Sequence, residues 1–291
     1  MKHKTVLIAI VSLFVSLLLA ACGGSSTGNG SSSSTPTSSS TTPTSTTVQA
    51  KATLMHVPSG MATLNWDPSS KSLTVKVTLS GLAPSSIHPE HIHTGSCANQ
   101  GNVLHPLMTL MADAYGNATA TTTIPNVTSG IPASGWYVNV HNGPGLTTAD
   151  QFLPIVCGDV TNSNTSTSAA QSVQVMLNGA PSASAGQAAT GTAELTLNGS
   201  TLTVKVTVSG LVPNSEHANH IHLGSCTMQG KVLYPLTKLV ADASGTATAT
   251  TTITGVSSLP SSGWYVNVHN STALTTQTGF DPIACGSVTV G

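Results

Sequence analysis

The chain has 291 residues, of which only 6% are charged and 3% aromatic, and its formal net charge is −1. Nucleic-acid binding draws on clustered Lys and Arg, and this chain has no basic run to offer. With so few aromatic rings, a stacking platform for bases or sugars is not expected either.

At the N-terminus, Lys2 and Lys4 precede the apolar run TVLIAIVSLFVSLLLA, which has the layout of a signal peptide. Leu19-Ala20-Ala21-Cys22-Gly23 resembles the lipobox of bacterial lipoproteins. That resemblance implies cleavage before Cys22 and acylation of its thiol. Residues 1–21 are accordingly read as a signal peptide, and the mature protein as extracytoplasmic and lipid-anchored to the bacterial cell membrane. No later stretch is apolar over the roughly 18 residues that a spanning helix needs. Residues 22–48 are almost entirely Ser, Thr, Gly and Pro, which bury too little apolar surface to offset their ordering entropy. They are read as a flexible tether.

Beyond the tether the chain repeats itself. His91, His93 and Cys97 recur as His220, His222 and Cys226, an offset of 129; Trp136, His141 and Cys157 recur as Trp264, His269 and Cys285, an offset of 128. A period this long indicates tandem domains and not a solenoid. They are placed at 49–161 and 171–291, joined by the polar run TNSNTSTSAA. Within each copy the hydrophobic period is two. In SLTVKVTLSGL, Leu73, Val75, Val77 and Leu79 alternate with Thr74, Lys76 and Thr78, and STLTVKVTVSGL repeats the pattern with Leu202, Val204, Val206 and Val208. GMATLNWD and GTAELTLNG read as earlier strands, and ATATTTI as a Thr-rich one favoured by β-branching. No amphipathic helix is evident, so the predicted class is all-β, two small sandwiches or barrels.

Apart from Cys22, four cysteines remain, and an even number in an exported protein favours disulfides. Pairing within each copy, Cys97 with Cys157 and Cys226 with Cys285, is the economical reading. Closing loops of about 60 residues would stabilise each domain by up to about 4 kcal/mol on the chain-entropy model. The alternative, four thiols around a metal, lacks any CxxC spacing.

The densest chemistry is HPEHIHTGSC at 88–97 and its copy HANHIHLGSC at 217–226. Residues two apart on a strand share a face, so His91 and His93 present both imidazoles to one side while Ile92 turns inward. In GWYVNVHN the residues Trp136, Val138 and Val140 form the apolar face, and Tyr137, Asn139 and His141 point the other way. His220, His222 and His269 repeat the arrangement. Three neutral imidazoles projecting away from the interior suit Cu, Zn, Fe or Ni.

GLAPSSIHPEHIHTGSC and GWYVNVHNGPGLTTADQFLPIVCGDV, with the turns ADAYG and ADASG, resemble the copper/zinc superoxide dismutase family. The resemblance covers most of each repeat. It implies tandem Greek-key β-sandwich domains of that type, copper-ligand positions at His91, His93 and His141 and at His220, His222 and His269, and a structural role for His88 and His217. The same two disulfides correspond. The family's zinc subloop is missing from ANQGNVLHPLMTLMADAYG, so zinc is not expected. His105 lies near the family's bridging histidine and is the candidate fourth ligand; the alternative is an ordinary loop residue, since copy two has Tyr234 there. The family's guiding arginine is replaced by Pro154 and Pro282, and a fast dismutase draws its anion in with positive potential. A second similarity, through the HIH stretch and WYVNVH, is to the CHRD domain, although the GEIRGQL ending of that family is absent and the cysteine pair is additional.

Three functions follow from these residues. One is a copper-dependent superoxide dismutase of the cell envelope, with no catalytic residue beyond the metal ligands and superoxide as substrate. Another is a non-catalytic copper buffer, and the third a metal-free structural or adhesion module in which the histidines only hydrogen-bond. Trp136 and Trp264 are expected in the core, Asp113 and Asp242 in turns, and Met108 and Met111 in the core, the alternative for this pair being soft copper(I) ligands. No hydrolase or phosphate-loop motif is present.

Overall fold

The computed structural model describes residues 47–179 and 189–291. The expected signal peptide, the lipidated Cys22 and all but the last two residues of the tether lie outside the described residues. Among those described, no helix is long and apolar enough to cross a membrane.

The fold is all-β. The strands of the first half are β1 (Thr47–His56), β2 (Ser59–Asp67), β3 (Ser72–Ser80), β4 (Ile87–His88), β5 (Glu90–Gly95), β6 (Gln100–Pro106), β7 (Leu110–Met111), β8 (Ala118–Ile124), β9 (Trp136–His141) and, after the single turn α1 (Ala149–Phe152), β10 (Pro154–Asp159). The second half repeats them as β11 (Gln171–Leu177), β12 (Thr190–Asn198), β13 (Thr201–Ser209), β14 (Glu216–His217), β15 (Asn219–Ser225), β16 (Met228–Pro235), β17 (Leu239–Val240), β18 (Ala247–Thr254), β19 (Trp264–His269), α2 (Gln277–Phe280) and β20 (Pro282–Ser287), followed by β21 (Thr289–Val290).

These strands build two β-sandwich domains. In the first, the sheet β11-β2-β3-β8 faces the sheet β10-β9-β5-β6. Leu64, Val75 and Val77 from one side meet Ile92, Val138 and Val140 from the other. In the second, β1-β12-β13-β18 faces β20-β19-β15-β16, and Leu195, Val204 and Val206 meet Ile221, Val266 and Val268. The alternating residues of SLTVKVTLS and TLTVKVTVS are the buried ones, as their period of two requires.

The first strand of each repeat is exchanged. β1 pairs antiparallel with β12 from Thr47↔Asn198 to Leu54↔Gly191, and it buries Ala50, Ala52 and Leu54 in the core of the second sandwich. β11 pairs with β2 and buries Val173, Val175 and Leu177 in the first. The segments 49–161 and 171–291 therefore each lend their opening strand to the other's core. β1 also pairs with β20 through Met55↔Cys285 and His56↔Ala284, which joins both sheets of the second sandwich into a half-barrel. In the first sandwich the corresponding link is a single bridge, Cys157↔Asn178.

Side chains also tie one sandwich to the other. Gln277 in α2 donates through Nε2 to the carbonyls of Ile87 (2.8 Å) and Asn142 (3.1 Å) and accepts from Ile87 N (3.0 Å). Gln229 Nε2 donates to Leu82 O at 2.7 Å. His56 reaches Ile155 O from the end of β1.

Asp113 and Asp242 sit in turns as expected, each accepting backbone N–H groups from residues two and four further on. Trp264 lies in its core and Trp136 packs partly buried against the other. Met108 and Met111 are instead solvent-exposed, at 61% and 69%. Neighbouring Leu107 and Leu110 occupy the core side in their place.

Candidate metal centre

Register brings the histidines together. β5 pairs with β9 so that His91 lies opposite Asn139 and His93 opposite Tyr137, while Ile92 opposes Val138. Paired residues share a face. Ile92, Val138 and Val140 fill the sandwich core, which leaves His91, His93, Tyr137, Asn139 and His141 on the opposite face. The ring centroids of His91, His93 and His141 lie 5.2 to 6.1 Å apart. The copy in β15 and β19 places His220, His222 and His269 5.1 to 6.2 Å apart. In each group, one potential ligand atom per residue lies within 4.8 Å of the others.

This outer face is not open to solvent. His93, His141, His222 and His269 are buried, and His91 and His220 are partly buried. The cover is a thin second layer: the disulfide Cys97–Cys157 packs on Tyr137, and the segment from Asn142 through α1 closes over His141. Cys226–Cys285 and Tyr265 form the equivalent layer in the second domain. The expectation that the imidazoles project from a polar face holds for direction only. A loop pinned by the disulfide to the neighbouring strand, β10 or β20, and the segment through the short helix bury them, and strand alternation carries no information about such cover.

Hydrogen bonds set the tautomers. A carbonyl can only accept, so His93 Nδ1 donates to Gly101 O (3.1 Å) and His141 Nδ1 donates to Phe152 O (2.8 Å). Both Nε2 lone pairs are left for the face they line. His141 Nε2 meets His91 Nδ1 at 3.2 Å, and His93 Nε2 is buried with no hydrogen-bond partner. In the second domain His222 Nδ1 binds Gly230 O, His269 Nδ1 binds Phe280 O, His220 Nδ1 meets His269 Nε2 at 3.2 Å, and His222 Nε2 is again without a partner. Gly101 is required where it stands, since a Cβ there would run into the Thr94 carbonyl.

His88 lies behind the triad, fully buried. It joins Ser86 Oγ at 2.7 Å to the carbonyl of His141 at 2.9 Å, and His217 does the same between Ser215 and His269. These two histidines position a triad member through its backbone. Burial drives His88 down to about 4; burial, then the neighbouring His141 and His93, take His91 to about 4; and burial takes His269 to about 4. His141, His220 and His222 are lowered as well, chiefly by burial. These six imidazoles are therefore neutral at pH 7, the form that binds metals.

His105 is not brought into the group. It pairs with Ile92, the residue between the two ligands, and so takes the core face, where it meets the edge of Trp136 at 5.7 Å. Tyr234 packs on Trp264 in the same way at 5.6 Å. Parity on the strand separates this position from the triad, and a shared aromatic contact accounts for the residue in both copies.

Residues that the sequence placed on this face without giving them a role also line the site. Tyr137 stacks on His93 and Tyr265 on His222, each at 4.9 Å, and Asn139 and Asn267 lie within the triads. The repeat of WYVNVH was the available signal. The donor set is three imidazole nitrogens, with orphaned acceptors at His93 and His222 and tautomers held by backbone carbonyls. Such a set fits a borderline-soft transition metal such as copper or zinc.

The family model for the CHRD domain matches the chain twice, at residues 33–144 and 165–273. Each match contains a complete triad and ends before the second cysteine of its disulfide. No curated protein matches the chain.

Proposed function

The chain belongs to the CHRD domain family, and we propose that each of its two β-sandwich domains binds one copper ion through its histidine triad. The observation that carries the proposal is the pair of buried, unpartnered Nε2 atoms on His93 and His222, each beside two further imidazole nitrogens. Leaving a buried acceptor unsatisfied costs about 1–3 kcal/mol, and a bound cation would recover it. His91, His93 and His141 would hold one ion, and His220, His222 and His269 the other. Copper is favoured over zinc by the resemblance of these six positions to copper ligands in the dismutase family and by the missing zinc subloop.

Copper bound in such a site supplies one-electron redox chemistry, and superoxide dismutation is the reaction the resemblance nominates. The protein's own residues fix the tautomers, exclude water from four of the six imidazoles and leave His91 and His220 at the solvent edge. A non-catalytic copper buffer is the second reading. It is favoured by Pro154 and Pro282 standing where the dismutase family has its guiding arginine, and by a chain with eight basic residues in all. In both readings the protein is lipid-anchored through Cys22 outside the cytoplasm.

Copper loading and desalting of the full chain, followed by elemental analysis, tests the proposal. About two coppers per chain are expected, one for each triad. The double variant His93→Ala, His222→Ala should lose both, and His105→Tyr should lose none. Copper should also raise the melting temperature, since a ligand at about 1,000 times its Kd adds about 4 kcal/mol to the native state. A wild-type chain that retains no copper would leave the metal-free module as the surviving reading. Superoxide consumption by the loaded protein, compared with the same copper held by buffer ligands, then separates dismutase from buffer.

A further inference from the structure

We propose that Asn139 and Asn267 complete the two sites as an amide-oxygen fourth ligand, an inference that rests on the copper reading above. Asn139 occupies the middle of the triad face. It lies opposite His91 on β5 and opposite Cys157 on β10, two residues before His141 on its own strand. Asn267 has the same neighbours in His220, Cys285 and His269.

Both side chains are buried, at 1% and 2% exposure. Their Nδ2 atoms lie 3.4 Å and 3.5 Å from the Nε2 of His141 and His269. Their Oδ1 atoms have no hydrogen-bond partner. An asparagine held this deep with its carbonyl unpaired is costly, and the same cost appears twice.

The orientation follows from the histidine tautomer. His141 Nδ1 donates to Phe152 O, so Nε2 is an acceptor and the amide must turn its NH2 toward it. A cation on Nε2 consumes that lone pair, and an N–H directed at a cation is unfavourable. A half-turn about the last side-chain bond exchanges the two ends of the amide. It points Oδ1 at the cation and gives the orphaned oxygen its partner, while the NH2 takes the place in which Oδ1 had none, so the metal–oxygen bond has to offset that exchange. An amide oxygen is a harder donor than imidazole, and on copper it serves as a weak additional ligand, as glutamine does in some blue-copper sites. His105, the other candidate for a fourth ligand, lies on the opposite face of the sheet.

The test compares the full-length wild type with the double variants Asn139→Leu, Asn267→Leu and Asn139→Asp, Asn267→Asp, by copper affinity and by the electron paramagnetic resonance spectrum of the copper(II) form. Leu fills the amide's volume without an oxygen. It should leave about two coppers per chain, weaken affinity about tenfold or more, and change the copper hyperfine pattern. Asp restores an oxygen with added negative charge and should bind copper at least as tightly as wild type. If Leu prevents folding, the Asp variant carries the test through its affinity and spectrum. Wild type that holds two coppers beside a Leu variant of unchanged affinity and spectrum overturns the inference and leaves the copper reading intact. Wild type that holds none overturns both.

Discussion

Removing residues 1–56 is expected to unfold the C-terminal sandwich and to spare the N-terminal one. β1 is the element lost, and its register with β12 and β20 places it inside the second half-barrel. Deleting it takes Ala50, Ala52 and Leu54 from that core and strips β12 of eight paired residues. Losing a buried Leu alone costs about 2–5 kcal/mol, and a small domain's whole stability is about 5–15 kcal/mol. β12 would also become a bare edge open to aggregation. Residues 59–178 keep all four strands of each sheet in the first sandwich, because β11 follows β10 directly in the chain. Hydrogen exchange on the truncated protein should show protection lost over 190–290 and retained over 59–178. A peptide of residues 47–56 added in trans should restore it. Equal protection in both sandwiches would show that β1 contributes little.

The exchange could not have been read from the residues. Alternation in TVQAKATLMH states which side chains turn inward but not which sheet receives them. β11 has the same alternation and its sequence, QSVQVML, would serve as well. The pairing is decided by chain length and loop geometry, neither of which leaves a periodic trace. By contrast, β2, β3, β12 and β13 were legible because each has one buried face, and a shift of one residue would expose all of it. The triads were legible for a related reason: His91 and His93 flank Ile92, and His141 stands two residues beyond Asn139, so parity alone assigns their face. Parity also excludes His105, but only once its pairing with Ile92 is known, and the irregular register between Ile92 and His93 hides that pairing from the sequence. The burial of the site is tertiary. Disulfides and the segments around α1 and α2 create it, and the polar residues of those loops resemble surface.

Replacing Glu90 by Gln is expected to stabilise the metal-free protein strongly at pH 8 and hardly at all near pH 4.5. Glu90 precedes His91 on β5 and is buried at 2% exposure, with Oε2 lacking a partner. Burial raises its carboxyl from 4.5 to about 8. Between those values the folded chain keeps a proton that the unfolded chain has released, so stability falls as pH rises from 4.5 through 8. At about 1.36 kcal/mol per pH unit, the loss reaches about 3–5 kcal/mol at the upper end. Gln has the same shape and no charge to lose. The buried histidines act with the opposite sign. His88 and His269, lowered from 6.5 to about 4, take up protons only on unfolding in that window, so they remove stability as pH falls from 6.5 toward 4. Urea unfolding of the chelator-treated wild type and Glu90→Gln variant at pH 5 and pH 8 separates the two effects, because only the carboxyl contribution disappears in the variant. A stability difference between the two proteins that is the same at both pH values would mean that Glu90 is ionised in the fold. The second domain supplies its own comparison, since Asn219 stands where the first has Glu90 and donates to Thr237 O at 2.8 Å. The reverse holds at α2: Asp281 is buried with both oxygens unpartnered and its carboxyl raised by burial, where the first domain has Leu153. Each sandwich thus has one buried acid that the other lacks, and Asp281→Leu should flatten the loss of stability with rising pH in the second domain as Glu90→Gln does in the first.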